Sequence, residues 1–167
     1  MSLLGIDVGT TGCKAAVFDG EGQLLSLAYR DYPLESPEPG AAEIDSAVVA
    51  DRCLAAVAEA AAAISGDPVR GIGITSQGEA FTPVAPDGRF LHHGMVSSDA
   101  RSDDIAREFA QQFGPERLYE ITGHTPHPMF TLFKLIWMKQ NRPQAWREAA
   151  KFYCFEELIQ AQLGVEP

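Results

Sequence analysis

The chain lacks a C-x-x-C pair, a histidine set at zinc-ligand spacing, an excess of basic charge and an apolar run long enough to span a bilayer. Each absence removes a class of function. Three widely spaced cysteines, Cys13, Cys53 and Cys154, form neither a disulfide framework nor half of a metal site, and they read as reduced core residues of a cytoplasmic protein. Against 13 lysines and arginines stand 23 aspartates and glutamates, for a formal net charge of −10. Nucleic acid and acidic membrane surfaces are polyanions that require basic patches, so neither is expected as a partner. No basic segment precedes the first apolar residues, which Asp7 interrupts at once, so a signal peptide is not expected. The most apolar later run, Leu54 to Ile64, contains Glu59 and is too short for a membrane span. His92 and His93 stand beside a turn, and His124 and His127 flank a proline-broken loop; all four are expected as surface or loop residues.

What remains suits one globular domain with a sizeable core: 167 residues, 46% hydrophobic and 22% charged. Residues 3–8 and 14–18 are apolar runs around a Gly/Thr-rich turn, and 23–32 alternates enough for a third strand, which together predict an antiparallel meander. Asp45 or Ser46 caps a helix running to about Ser65, where Gly66 stops it, with Val49, Cys53, Val57, Ala60 and Ile64 as its buried stripe. Val69 to Ser76 reads as a buried-type strand and Phe81 to Ala85 as another. Helices are expected from about Ser102 to Phe113, near Leu132 to Gln140, after Pro143 and near Glu156 to Leu163, the chain being helical in pieces from Gly114 onward. The order predicts an α/β fold with a mixed sheet.

Three stretches carry candidate chemistry. In "GIDVGTTGCK" the glycines allow close backbone approach, Thr10 and Thr11 add hydroxyls, and successive backbone N–H groups can form an anion-binding concavity. Lys14 adds a point charge, and Asp7 at a strand end suits magnesium held with phosphate. The alternative is a plain hairpin turn. "GIGITSQGEAFTPV" ends a strand in Ser76, Gln77 and Glu79, an amide and a carboxylate suited to hydroxyl groups, or else a solvated turn. "VSSDARSDD" places Asp99 and Arg101 before a helix, where they either meet a polar ligand or form a helix cap and an ion pair.

Taken in order, these stretches resemble the FGGY carbohydrate kinases, the sugar-kinase branch of the actin-like, ribonuclease-H-like ATPases. "LLGIDVGTTGCKAAVFD" resembles that family's first phosphate motif and "SPEPGAAEID" its loop before the first long helix. "GITSQGEAFTPVAPDGRFL" is similar to its substrate-side hairpin, and "TGHTPHPMFTLFKLIWMKQNRPQAW" to its Thr-Gly, proline-pair and Lys-Leu-x-Trp segment. The resemblance implies a ribonuclease-H-like mixed sheet with flanking helices, truncated, in which residues 1–167 are a single partial domain. It implies transfer of the ATP γ-phosphoryl group to a sugar or sugar-acid hydroxyl with magnesium. Asp7 would then serve the metal, Gly9, Thr10, Thr11 and Lys14 the nucleotide phosphates, and Gln77, Glu79, Asp99 and Arg101 the sugar.

Two departures qualify the likeness: Gly78 and Ser97 stand where glycerol-kinase-like members carry Arg and Trp, which favours xylulose- or gluconate-type substrates. No residue matches the family's base motif, and Asp103 and Asp104 read as helix-start acids, so this chain alone is expected to be inactive. A non-catalytic sugar- or nucleotide-binding domain and one half of a two-chain assembly are the alternatives. Self-association through apolar surface after Gly114 is a further expectation.

Overall fold

The alternating apolar residues at the start of the chain become the expected meander in the computed structural model, which describes residues 1–64 and 66–167. β1 (Ser2–Val8), β2 (Gly12–Phe18) and β3 (Leu24–Asp31) pair antiparallel, with Asp7 opposite Lys14 and Ala15 opposite Ala28. A two-residue β4 (Glu43–Ile44) leads into α1 (Ser46–Ala62), and β5 (Val69–Ser76) returns to pair in parallel with β1. There follow β6 (Phe81–Val84), β7 (Gly94–Met95), α2 (Asp103–Phe113) and α3 (Pro115–Thr122). The chain closes with α4 (Thr131–Asn141), α5 (Pro143–Glu148), β8 (Lys151–Cys154) and α6 (Phe155–Gln162). None of these helices is long and apolar enough to cross a membrane, among the described residues.

Two compact units result. The first comprises residues 1–34, 44–78 and 153–167 and holds the sheet β3-β2-β1-β5. Its side chains alternate as strand geometry requires. Leu4, Ile6, Val8, Cys13, Ala15, Val17 and Ala28 are buried on the face that α1 covers, together with Val49, Cys53, Ala56 and Ala60. Asp45 caps α1, its Oδ1 accepting from the Ala47 N–H at 2.9 Å, a contribution of about 1 kcal/mol. The helical stripe runs through Ala56 rather than the half-buried Val57, and the Ser65 end of the predicted helix lies outside the described residues. β5 differs from expectation: it is an edge strand of this sheet, and Ile72 on it is 50% exposed. The opposite sheet face carries Leu3, Leu27 and Tyr29, all exposed.

The second unit comprises residues 35–43 and 79–152. Its short strands belong to a sheet ordered β4-β7-β6-β8, with Phe81 opposite Met95. Phe81, Met95, Trp137 and Met138 form the core, and Phe152 meets the Phe81 ring edge-on at 5.9 Å. β4, β7 and β8 were not foreseen, since elements of two to four residues carry no readable period. His92, expected as a surface or loop residue, lies in a loop with its side chain only 13% exposed and its ring 3.6 Å from Glu43.

Candidate functional site

At the end of β1 the chain reverses through Gly9-Thr10-Thr11 into β2. The Gly9 N–H donates to the Gly12 carbonyl at 3.0 Å and closes the turn. Close backbone approach, not positive φ, dictates glycine at position 12. A Cβ on Gly12 would lie 2.5 Å from the Arg30 carbonyl oxygen and 2.5 Å from the Tyr29 hydroxyl.

Two of the turn's carbonyls are held from within the first unit. The Gly9 oxygen accepts from the Tyr32 hydroxyl at 2.6 Å and from Gln77 Nε2 at 3.3 Å. The Thr11 oxygen accepts from the Tyr29 hydroxyl at 3.3 Å and from the Tyr32 N–H at 3.4 Å. Gln77 Oε1 accepts from the Thr10 hydroxyl at 3.2 Å, and the Gln77 N–H donates to Val8 at 2.8 Å. The backbone N–H groups of Thr10 and Thr11, by contrast, meet no acceptor among the described residues. Burial pushes the Tyr32 phenol far above its ordinary pKa, so it remains a donor. A hydrogen bond with Cys13, reinforced by burial, pushes the Cys53 thiol up as well, so this core cysteine stays protonated.

Asp7 and Lys14 are cross-strand partners beside the turn, with their charged groups 3.8 Å apart and their side chains 50% and 59% exposed. Such a pair is worth about 1 kcal/mol or less in water and opens readily to a ligand. Next to it lies a groove of about 380 Å³, shaped by Gly5, Gly73, Asp7, Lys14 and Thr75. No group of three or more His, Cys, Asp or Glu among the described residues is arranged to hold a metal ion. Magnesium commonly takes one or two carboxylates and completes its shell with water and phosphate oxygens, so Asp7 fits an ion held jointly with a nucleotide.

In the second unit, Glu79 is the one non-glycine residue at positive φ among the described residues, at 59°. For a residue with a Cβ that backbone costs on the order of 1–3 kcal/mol and needs support. Its carboxylate Oε2 accepts from the Thr131 N–H at 2.5 Å and the Thr131 hydroxyl at 2.7 Å, supplying α4 with the cap that Phe130 lacks. Lys134, fully buried, donates from Nζ to the Glu79 carbonyl and, at 3.1 Å, to the Val96 carbonyl. An apolar cavity of about 290 Å³ adjoins Glu79, walled by Leu118, Pro126, Phe130 and Phe133.

Asp99 and Arg101 are committed largely to their own unit. Asp99 Oδ2 accepts from the Ala42 N–H at 2.9 Å and from Arg101 at 2.7 Å. Arg101 also reaches Glu38 at 2.7 Å and Glu43 at 2.5 Å, and its guanidinium lies 4.2 Å from the centroid of Trp137. The Arg101 side chain is 4% exposed. Burial pulls its pKa down, but the hydrogen bonds it donates to Asp99 and Glu38 and the charge of Asp99 leave it above the ordinary value. Of the two structural alternatives for this segment, the ion pair is present; the cap of α2 is Ser102, without a side-chain hydrogen bond.

Asp7, Gly9, Thr10, Thr11 and Lys14 therefore gather at one turn, and Gln77, expected on the sugar side, bonds to that same turn. Glu79 is tied to Thr131, and Asp99 to Arg101. Neither Tyr32 nor Lys134 is among the candidate site residues read from the sequence, yet each carries a signal. Tyr32 directly follows β3, which pairs with the strand leaving the turn, and a buried tyrosine needs a partner for its hydroxyl. Lys134 shares a helical face with Phe130, Trp137 and Met138, three and four residues away.

The family described as "FGGY family of carbohydrate kinases, N-terminal domain" matches residues 2–165. The chain is 30% identical over 147 residues to an L-xylulose/3-keto-L-gulonate kinase of Escherichia coli, covering 87% of this chain and 30% of that protein. It is 34% identical over 158 residues to a glycerol kinase of Alkalilimnicola ehrlichii, covering 89% of this chain and 30% of that protein. A solved xylulose kinase from Rhodospirillum rubrum superposes with a TM-score of 0.89 at 25% identity, over 96% of this chain and 33% of the other. The chain thus spans about 30% of the length of the curated relatives it matches.

Proposed function

Because the chain belongs to the FGGY family of carbohydrate kinases, we propose that it is the N-terminal part of an enzyme moving the ATP γ-phosphoryl group to a sugar or sugar-acid hydroxyl. One observation carries the reading: two successive N–H groups, at Thr10 and Thr11, stand without acceptors among the described residues, beside Lys14 and Asp7. Phosphoryl transfer depends on alignment and charge neutralisation more than on covalent chemistry by the protein, and donors fixed in advance supply both. In this proposal Gly9 lets the backbone approach the phosphates, Thr10 and Thr11 donate to them, Lys14 balances their charge and Asp7 holds magnesium. Magnesium bound there would neutralise phosphate oxygens. The aspartate that takes the sugar proton is proposed to lie outside residues 1–167, which on this reading are a single partial N-terminal domain of the whole enzyme.

Glu79, Asp99 and Arg101 are assigned to the sugar side, and Gln77, whose amide donates to the Gly9 carbonyl, to the phosphate turn. Asp99 and Arg101 act there chiefly by shaping the wall, because their side chains are buried against each other. Xylulose and gluconate are the first candidate substrates. Overall identity does not separate these from glycerol, but position 78 favours them. A Cβ on Gly78 would meet nothing within 4 Å, so packing does not itself require glycine there.

The test is a titration of the chain with magnesium-ADP, followed by kinetics of the complete enzyme with D-xylulose, gluconate and glycerol. Micromolar to millimolar nucleotide binding and preference for a sugar over glycerol are expected. Glu79→Ala should raise the sugar KM by about tenfold or more with a smaller change for ATP, since a lost charged hydrogen bond is worth roughly 1.5–3 kcal/mol. Glu79→Gln keeps an acceptor for Thr131 and separates the sugar effect from loss of the helix cap. Robust sugar-dependent ADP release by residues 1–167 alone would show that the base has been misplaced.

A further inference from the structure

A peptide group points its carbonyl and its N–H in opposite directions across one plane. The Gly9 carbonyl and the Thr10 N–H belong to one such group, so whatever holds the first aims the second. Glycine at position 9 makes rotation of this peptide inexpensive, and a rotated peptide would present an oxygen to an incoming phosphate. Two side chains oppose that rotation. Tyr32, 5% exposed, places its hydroxyl 2.6 Å from the Gly9 oxygen. Gln77 Nε2 lies 3.3 Å from the same oxygen, and the amide cannot turn without losing the Thr10 hydroxyl from Oε1.

We infer that Tyr32 is a positioning residue for phosphate binding: its hydroxyl, together with the Gln77 amide, locks the Gly9–Thr10 peptide with the Thr10 N–H directed at the ligand. The inference rests on the reading of this turn as a nucleotide-phosphate site and adds the device that keeps the site open before ligand arrives. Tyr32 touches no ligand. It acts from the sheet's other side, and because its phenol stays protonated the lock is insensitive to pH over the working range.

The experiment records backbone amide spectra of the 167-residue chain during titration with magnesium-ADP, for the unaltered protein, Tyr32→Phe, Gln77→Met and, as control, Tyr29→Phe. Tyr32→Phe keeps the ring and removes only the hydroxyl. In the unaltered chain, magnesium-ADP should shift the Thr10 and Thr11 amide signals. In Tyr32→Phe the Thr10 amide should already be displaced without ligand, and affinity should fall about five- to tenfold, the value of one ordinary hydrogen bond. Gln77→Met should act in the same direction, and Tyr29→Phe, which leaves the Gly9 carbonyl bonded, should change affinity less than twofold. An unchanged Thr10 amide and unchanged affinity in both Tyr32→Phe and Gln77→Met would overturn the lock while leaving the phosphate site standing. Failure of magnesium-ADP to move Thr10 or Thr11 in the unaltered chain would overturn the phosphate reading and the lock with it.

Discussion

Replacing Asp7 or Lys14 by alanine is expected to slow phosphoryl transfer by the complete enzyme about a hundred- to a thousandfold, the loss typical of one preorganised charge or donor at a reacting centre. The fold should survive. Both side chains lie on the sheet face that α1 does not cover, both are at least half exposed, and their mutual contact at 3.8 Å is a surface pair worth little. Neither side chain fills the core, so the midpoint of thermal unfolding should move by only a few degrees. Structure and proposed chemistry are therefore separable at these two positions, which makes them sharper probes than the glycines of the same turn. Gly12→Ala would abolish activity too, but through collision with the Arg30 backbone. The measurement is kcat/KM for ATP beside an unfolding curve for each variant. Rates within threefold of normal in both would remove Asp7 and Lys14 from the phosphate site.

What could be read from the chain follows from the range of the forces involved. The meander, α1 and the Val69–Ser76 strand were legible because each is long enough to repeat a period and ends in local chemistry such as the Asp45 cap. The Gly9–Thr11 turn between β1 and β2 was legible because its residues are adjacent in sequence. Contacts between residues far apart in sequence were not. Gln77 was assigned with Glu79 because they are neighbours in the chain, whereas tertiary bonding ties Gln77 to Gly9 and Glu79 to Thr131. Likewise nothing local around Lys134 says that its ammonium will hold the Glu79 corner across 55 residues. Pairings of that kind depend on which segments meet, and a single sequence carries no record of it.

Arg101→Met should produce a large loss of stability. Asp99 and Glu43, with side chains 0% and 6% exposed, would keep their negative charges and lose the guanidinium that faces both. Removing one partner of a buried ion network typically costs about 3–5 kcal/mol, because desolvation of the survivors is no longer offset. At roughly 2–4 °C per kcal/mol for a chain of this size, the unfolding midpoint should fall by about 10 °C. Loss of one of the two guanidinium groups over Trp137 adds to the effect, Arg142 being the other. The change also has a pH signature. The hydrogen bond from Arg101, with help from Arg142, holds the Glu38 carboxyl below the usual carboxylate range. A lowered folded-state pKa contributes stability above the unfolded value, and that contribution is lost as pH falls through the folded value. Arg101→Met should therefore flatten the acid side of the stability profile, though only partly, because Arg142 remains 2.8 Å from Glu38 and solvent screens a carboxylate that is 40% exposed. Asp99→Asn, which keeps an acceptor for the Ala42 N–H, should cost less than Arg101→Met. If Arg101 instead served mainly by gripping the sugar, Arg101→Met would raise the sugar KM steeply and leave the unfolding midpoint nearly unchanged, and the buried network would lose its structural role.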